Sequence, residues 1–297
     1  MWKLKVPASS ANLGAGFDAL GIALTLYNRV WIEEADGCII ESKDGLAIPQ
    51  DESNMIYRTA KHLYEQCGKP FPGLHIVQES GIPMTRGLGS SSACLVAGLL
   101  GANHLLGEPF SKQELLNRAA QLEGHPDNVA PALLGGLVTA VMENGEVHAV
   151  SVPVDPHFRF AVFIPSFELS TEKARAVLPT QVSRLDAVYN LSRAALMTAS
   201  LFSGNRENLR IASQDRLHQP YRFPFIPGGE RVWQLAYDLG AYCVCISGAG
   251  PSILAITDDE QFASRARTQL AAYGLNDWQI REFACDPWGA KSEFVTL

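Results

Sequence analysis

Residues 82–93 read Ile82-Pro83-Met84-Thr85-Arg86-Gly87-Leu88-Gly89-Ser90-Ser91-Ser92-Ala93 and run directly into Cys94-Leu95-Val96-Ala97. A proline and two glycines precede three hydroxyl side chains, and an apolar run follows. Glycine at 87 and 89 lets the backbone turn tightly and come close to a ligand. The serines stand where a helix would begin, so its first N–H groups lack carbonyl partners and coincide with the positive end of the helix dipole. Such a start is an anion site, and the stretch predicts a phosphate cradle. It is not a lysine-bearing P-loop: no G-x-x-x-x-G-K-[ST] occurs, and Gly68-Lys69 is followed by Pro70. It is not a dinucleotide fingerprint either, because the third glycine is missing after Gly87 and Gly89. A serine-capped glycine turn without function would look the same, so chemistry alone leaves the two readings level.

The rest of the 297-residue chain suits a soluble globular protein, with 47% hydrophobic and 19% charged residues, and its length suits two domains. A net charge of −7 argues against nucleic acid and acidic membranes as partners, since both need a basic footprint. An anionic substrate then requires local arginine or Mg²⁺. The six cysteines form no C-x-x-C pair. Those at 94, 243 and 245 lie in apolar context, as reduced cysteines of a cytoplasmic protein do. The apolar part of Met1-Trp2-Lys3-Leu4-Lys5-Val6 is too short for a signal peptide, and no apolar run reaches the roughly 18 residues of a membrane span.

Patterning predicts strands at 3–7, 22–34, 38–42 and 74–79, a polar loop over 8–21, and a helix from Met55 to Cys67 capped by Ser53. Ser91 to Leu106 reads as a helix, and Ser111 with Glu114 forms a capping box for Lys112 to Glu123. Val129 to Leu134 is a short helical piece. Asn144-Gly145 marks a hairpin between 137–142 and 147–152. Later strands are expected at 158–164, 241–247, 253–256 and 278–285. Later helices are expected from Ser170, over 184–203, 206–217 and 233–239, and from Asp259 to Tyr273. Strands and helices mix without strict alternation, which favours an α+β fold.

Two more glycine loops matter. Pro7 to Gly21 holds Asn12 and Asp18, and Ser247-Gly248-Ala249-Gly250-Pro251-Ser252 lies near the end. Each alone reads as a turn. Together with residues 83–93 they match, in order and spacing, the three motifs of the kinase superfamily named for galactokinase, homoserine kinase, mevalonate kinase and phosphomevalonate kinase (GHMP). Within it the sequence resembles the homoserine kinases over essentially its whole length. The marks are Gly16-Phe17-Asp18, the run from Glu123 through His125, Asp127 and Asn128 to Pro131, Ser170 to Arg175 with Leu178-Pro179, and Gln219-Pro220-Tyr221-Arg222.

The resemblance implies a two-domain α+β fold. Residues 1–154 would be an ATP-binding domain like the second domain of ribosomal protein S5, with a left-handed βαβ crossover. Residues 155–297 would be ferredoxin-like. It implies phosphorylation of the side-chain hydroxyl of L-homoserine by Mg²⁺-ATP, in threonine biosynthesis. ATP phosphates would lie on Pro83, Arg86, Gly87, Leu88, Gly89, Ser90, Ser91, Ser92 and Ala93, with Asn54 near the adenine. Ser91 and Glu123 would hold magnesium, a hydroxyl and a hard carboxylate being donors that ion accepts. Arg175 and Arg222 would take the α-carboxylate in bidentate geometry. Asp18 would take the α-ammonium, with His125, Thr171 and Gly248 lining the amino acid site. Asn12 and Asn128 would orient the hydroxyl. For catalysis the choice is between positioning alone, with Asn128 orienting the nucleophile, and Asp127 as base. Relatives are often homodimers. The rivals are another small-alcohol kinase, such as mevalonate kinase, and a non-catalytic relative.

Overall fold

A computed structural model describes residues 1–296. The first sheet takes β1 (Trp2–Ala11), β2 (Leu20–Glu34), β3 (Gly37–Ser42), β4 (Gly73–Ser80), β5 (Leu137–Glu143) and β6 (Glu146–Val152). Helices α1 (Met55–Gln66), α2 (Ser90–Leu105), α3 (Lys112–Glu123) and α4 (Val129–Leu134) lie between these strands in the chain. Strands run β1-β2-β4-β3, with β5 on one end of β2 and β6 on β5. The β3–β4 pair is parallel, which requires a crossover, and α1 supplies it. Helix α2 is apolar all round. Ala93, Val96, Ala97, Leu99 and Ala102 are all buried, so the helix needs cover on every side and packs on α1, α3, α4 and β1.

Beyond residue 158 the chain forms a second sheet. It comprises β7 (Arg159–Pro165), α5 (Thr171–Ala176), α6 (Arg184–Ser203), α7 (Leu209–Ala212), α8 (Gln219–Arg222) and α9 (Gly229–Asp238). Then come β8 (Cys243–Ile246), β9 (Ile253–Thr257), α10 (Phe262–Ala272) and β10 (Trp278–Phe283). The strand order is β10-β7-β9-β8, antiparallel throughout, so the strands stand fourth, first, third and second in chain order. That is the ferredoxin-like arrangement. A last strand, β11 (Lys291–Phe294), leaves this sheet and pairs with β1. A division at 154/155 groups residues 291–294 with the second unit, whereas their hydrogen bonds are to the first.

Several expectations change for physical reasons. β1 runs on to Ala11 through a bulge at Pro7/Ala8, and from Val6 to Ala11 every residue is buried, so the alternation that marks a half-buried strand disappears. The helix expected over 206–217 shrinks to one turn. The Asp215 carboxylate accepts from the N–H groups of Leu217, His218 and Gln219, a local alternative to helical bonding. β11 is exposed at every position and carries no pattern to read.

Asn54, not Ser53, caps α1. Its Oδ1 accepts from Ile56 N (2.9 Å) and its Nδ2 donates to Pro49 O (2.9 Å), with the residue 3% exposed. The side chain expected near adenine is therefore committed to the fold. Asn54→Ala should cost about 1 kcal/mol and lower Tm by roughly 2–4 °C in calorimetry, with the KM for ATP unchanged.

Candidate active site

The three glycine loops meet, and hydrogen bonds stitch them together. Ser9 N donates to Leu88 O (3.1 Å), Gly248 N to Ala11 O (3.1 Å) and Ser247 Oγ to Gly87 O (2.6 Å). The hydroxyls of Ser10 and Ser247 lie 2.8 Å apart. The need for glycine follows from this crowding. A Cβ on Gly87 would sit 2.2 Å from Ser247 O, and one on Gly89 would sit 2.2 Å from Ser9 Oγ, both at φ near +70°. Gly87→Ala therefore combines left-handed strain with a backbone collision, each roughly 1–3 kcal/mol. Its expected signature is a lower Tm together with weaker ATP binding, read by scanning calorimetry and titration.

Where these loops meet, α2 starts on Gly89, with no side-chain cap and no acidic residue in its first turn. The residues of its first turn, Ser90 to Ser92, line a cleft. Glu123 ends α3 facing them: Oε1 accepts from Ser92 Oγ (2.8 Å), and Oε2 lies 3.4 Å from Ser91 Oγ. Ser92 is buried and anchors the carboxylate, while the exposed Ser91 hydroxyl lies beside the other oxygen. A hydroxyl and a carboxylate next to an anion cradle form a donor set that fits magnesium.

Gly87 through Ser92 line the cleft, whereas Pro83 and Ala93 do not. Arg86 lines it too, but its guanidinium is tied down across the two units. It donates to Pro165 O (2.9 Å) and Ser166 O (2.7 Å) and pairs with Glu168 (3.3 Å). The sequence leaves the direction of this one loop cation open; its bonds turn it toward the Pro165 and Ser166 carbonyls. A second groove shares Ser91 and Glu123 with the cleft and continues along Met55, Arg58 and Leu95.

Asn12, His125, Asp127, Asn128, Thr171, Arg175, Arg222 and Gly248 also line the cleft, whereas Asp18 does not. Arg175 grips Asp18 with two bonds, 2.7 and 3.1 Å. The residues expected to hold opposite ends of an amino acid thus hold each other. Bonding to Asp18 pushes the Arg175 pKa up, against the effect of burial. Asn12 is used by the fold: Nδ2 donates to Gly248 O (2.8 Å) and Oδ1 accepts from Asp18 N (3.0 Å). It shapes the loop that presents Asp18. Asn128 Oδ1 accepts from Ser9 Oγ (3.0 Å), and its Nδ2 has no partner among the described residues.

Asp127 is 2% exposed and bonded to His125 Nδ1 at 2.5 Å. Burial lowers the His125 pKa, but the Asp127 bond outweighs it and the net shift is upward. Acceptor atoms of Asp18, His125 and Asp127 lie within 4.8 Å of one another. Ser9, Ser10, Ser247 and His218 escaped sequence reasoning. The serine pair beside Asn12, and a histidine directly preceding Gln219-Pro220-Tyr221-Arg222, were the available signals.

Models of the GHMP kinase N-terminal and C-terminal domains match residues 54–136 and 195–276. A homoserine kinase from Clostridium beijerinckii is 46% identical, covering 98% of each chain. The chain belongs to the homoserine kinase family of GHMP kinases. Another homoserine kinase, from Desulfitobacterium hafniense, is 48% identical over 93% of this chain and 94% of its own. The crystal structure of homoserine kinase from Cytophaga hutchinsonii superposes with a TM-score of 0.85 at 29% identity, covering 98% of this chain and 96% of that one. Mevalonate kinase from L. major, at 16% identity and a TM-score of 0.72, shares the fold alone.

Proposed function

We propose that this chain transfers the terminal phosphoryl group of ATP to the side-chain hydroxyl of L-homoserine, giving O-phospho-L-homoserine for threonine biosynthesis. One observation carries the reading: an uncapped helix start and Glu123 share one cleft with Arg175 and Arg222, and Arg175 is paired with the carboxylate of Asp18. The triphosphate lies on residues 87–92, and the nucleoside extends into the groove along Met55. Glu123 and Ser91 would hold magnesium, which when bound neutralises charge on the phosphates.

Homoserine carries both charges of the Asp18–Arg175 pair. Its ammonium takes Asp18, its carboxylate takes Arg175 and Arg222, and Asp18 and Arg175 each exchange one ion partner for another. The neutral amide nitrogen of Asn128 orients the hydroxyl. An amide cannot accept a proton as a base at neutral pH, and the loose transition state of phosphoryl transfer makes positioning and charge the main demands. Asp127, occupied by His125, orients that ring toward the substrate. The free cysteines among the described residues fit a cytoplasmic location, and no described helix is long and apolar enough to cross a membrane. A homodimer is part of the proposal, to be checked by light scattering.

The test is ADP release, coupled to a reporter enzyme, with L-homoserine, mevalonate, galactose and shikimate. Homoserine is expected to be the substrate by a wide margin. A preference for mevalonate, or nucleotide binding without turnover on any of the four, would sink the proposal.

A further inference from the structure

Arg222 is the largest side chain among those with almost no exposure, at 1%. It has no carboxylate within salt-bridge distance among the described residues. Its Nε donates to Ala174 O (3.2 Å), and its Nη1 donates to Gly248 O (3.1 Å) and to His218 Nδ1 (3.0 Å). Nη2 has no partner among the described residues, and the residue lines the cleft. Burial, with Arg175 adding to it, lowers the guanidinium pKa to about 10, so the cation persists at neutral pH without a counter-ion.

His218 lies behind it, fully buried, with Nε2 2.7 Å from Gly14 O. The two neighbours fix its proton. A carbonyl only accepts, so Nε2 carries the hydrogen. A guanidinium only donates, so Nδ1 is bare. Burial pulls the imidazole pKa down; Arg222 acts in the same direction and Asp215 against it. Asp215 stands 3.6 Å from Nε2, but its oxygens already accept from Asn190 Nδ2 and the N–H groups of Leu217, His218 and Gln219. The Phe17 ring stacks on His218 (5.2 Å between centroids, 23°) and lies 5.2 Å from the Arg222 guanidinium.

We infer that His218 is a positioning residue for Arg222, a neutral acceptor that fixes the guanidinium without quenching its charge, which stays available to the substrate carboxylate. This rests on the reading of Arg222 as a carboxylate-binding residue. A carboxylate at 218 would pair with the arginine and compete with substrate. An apolar residue would leave a buried donor short of an acceptor.

Two substitutions separate the two bonds of the ring. His218→Gln places an amide at the Nε2 position, keeping the Gly14 bond and losing the acceptor for Arg222. His218→Asn places an oxygen at the Nδ1 position and keeps that acceptor. Each is assayed with L-homoserine and with 3-aminopropan-1-ol, which has the hydroxyl and ammonium but no carboxylate. His218→Gln should raise the homoserine KM about tenfold or more, leave kcat and the ATP KM nearly unchanged, and lower the homoserine preference in kcat/KM by a similar factor. His218→Asn should recover most of that preference. A preference unchanged in His218→Gln, or lost equally in both variants, overturns the proposal. Arg222→Lys is run alongside. If it too leaves the preference intact, the carboxylate reading of Arg222 has failed; if it alone destroys the preference, only the role of His218 has. Nitrogen-15 NMR of the unaltered protein needs no variant to fold: His218 should be the neutral Nε2–H tautomer near pH 7, and a doubly protonated ring there overturns the proposal.

Discussion

Glu123→Gln is expected to lower kcat by about 10²–10³-fold while leaving the fold intact, the size of effect seen when one electrostatic stabiliser of a transition state is removed. The amide keeps the shape of the side chain, and its oxygen can still accept from Ser92 Oγ, the bond that anchors Glu123 now. What disappears is the negative charge beside Ser91. The loss is severe because little else in the cleft can manage phosphate charge. The chain has no P-loop lysine, and Arg86, the cation inside the loop, is spent on the carbonyls of Pro165 and Ser166. Calorimetric titration with ATP, with and without Mg²⁺, should show the unaltered protein gaining affinity from the metal and the variant gaining little. Activity within about threefold of the unaltered protein would exclude Glu123 as the metal carboxylate.

Arg175→Ala should act on the other substrate. Truncating one partner of a hydrogen-bonded charge pair costs roughly 2–5 kcal/mol when the pair is buried. Arg175 keeps about a third of its side-chain surface exposed, so solvent screening argues for the lower end, about 2–3 kcal/mol. That converts to a rise in homoserine KM of about 30–150-fold, with the KM for ATP unchanged. Part of the loss comes from Asp18, left without its partner. Asp18→Asn in the Arg175→Ala background should therefore cost less than the two single effects added together. Strict additivity would mean that the two residues do not act as a pair, and a rise in the ATP KM would place Arg175 on the wrong substrate.

Signals carried by neighbouring residues are legible in the sequence. The capping box of Ser111 and Glu114 and the Asn144-Gly145 hairpin lie where expected, because each is decided by residues a few positions apart. The helix start at 90 was legible for the same reason. The uses of polar side chains across long separations were not. The direction of Arg86 is open from the sequence, because its partners are 79 and 80 residues away. Asp18 and Arg175 each read as a substrate contact, and their bond to each other spans 157 residues. Asn54 and Ser53 are equally good caps by residue type; the Ser53 hydroxyl is turned to the Asp51 carboxylate, while Asn54 is held by Pro49 O and accepts from Ile56 N. His218 directly precedes the Gln219–Arg222 motif, but its bonds to Gly14, 204 residues away, and to Arg222 are not legible from that position.

The return of β11 to β1 bears on how the molecule is made. During synthesis β1 leaves the ribosome before the whole second unit, and residues 291–294 leave after it, so one edge of the first sheet stays open while that unit is being translated. Asp286 is equally late, and the first unit depends on it: its carbonyl accepts from Gly136 N (2.7 Å), its own N–H donates to Ala23 O (2.9 Å), and its carboxylate accepts from Tyr27 Oη (2.7 Å). The first unit therefore cannot finish as an independent nascent domain. An unpaired strand edge invites association with other chains, and β1 presents such an edge in the interval between its own emergence and that of β11.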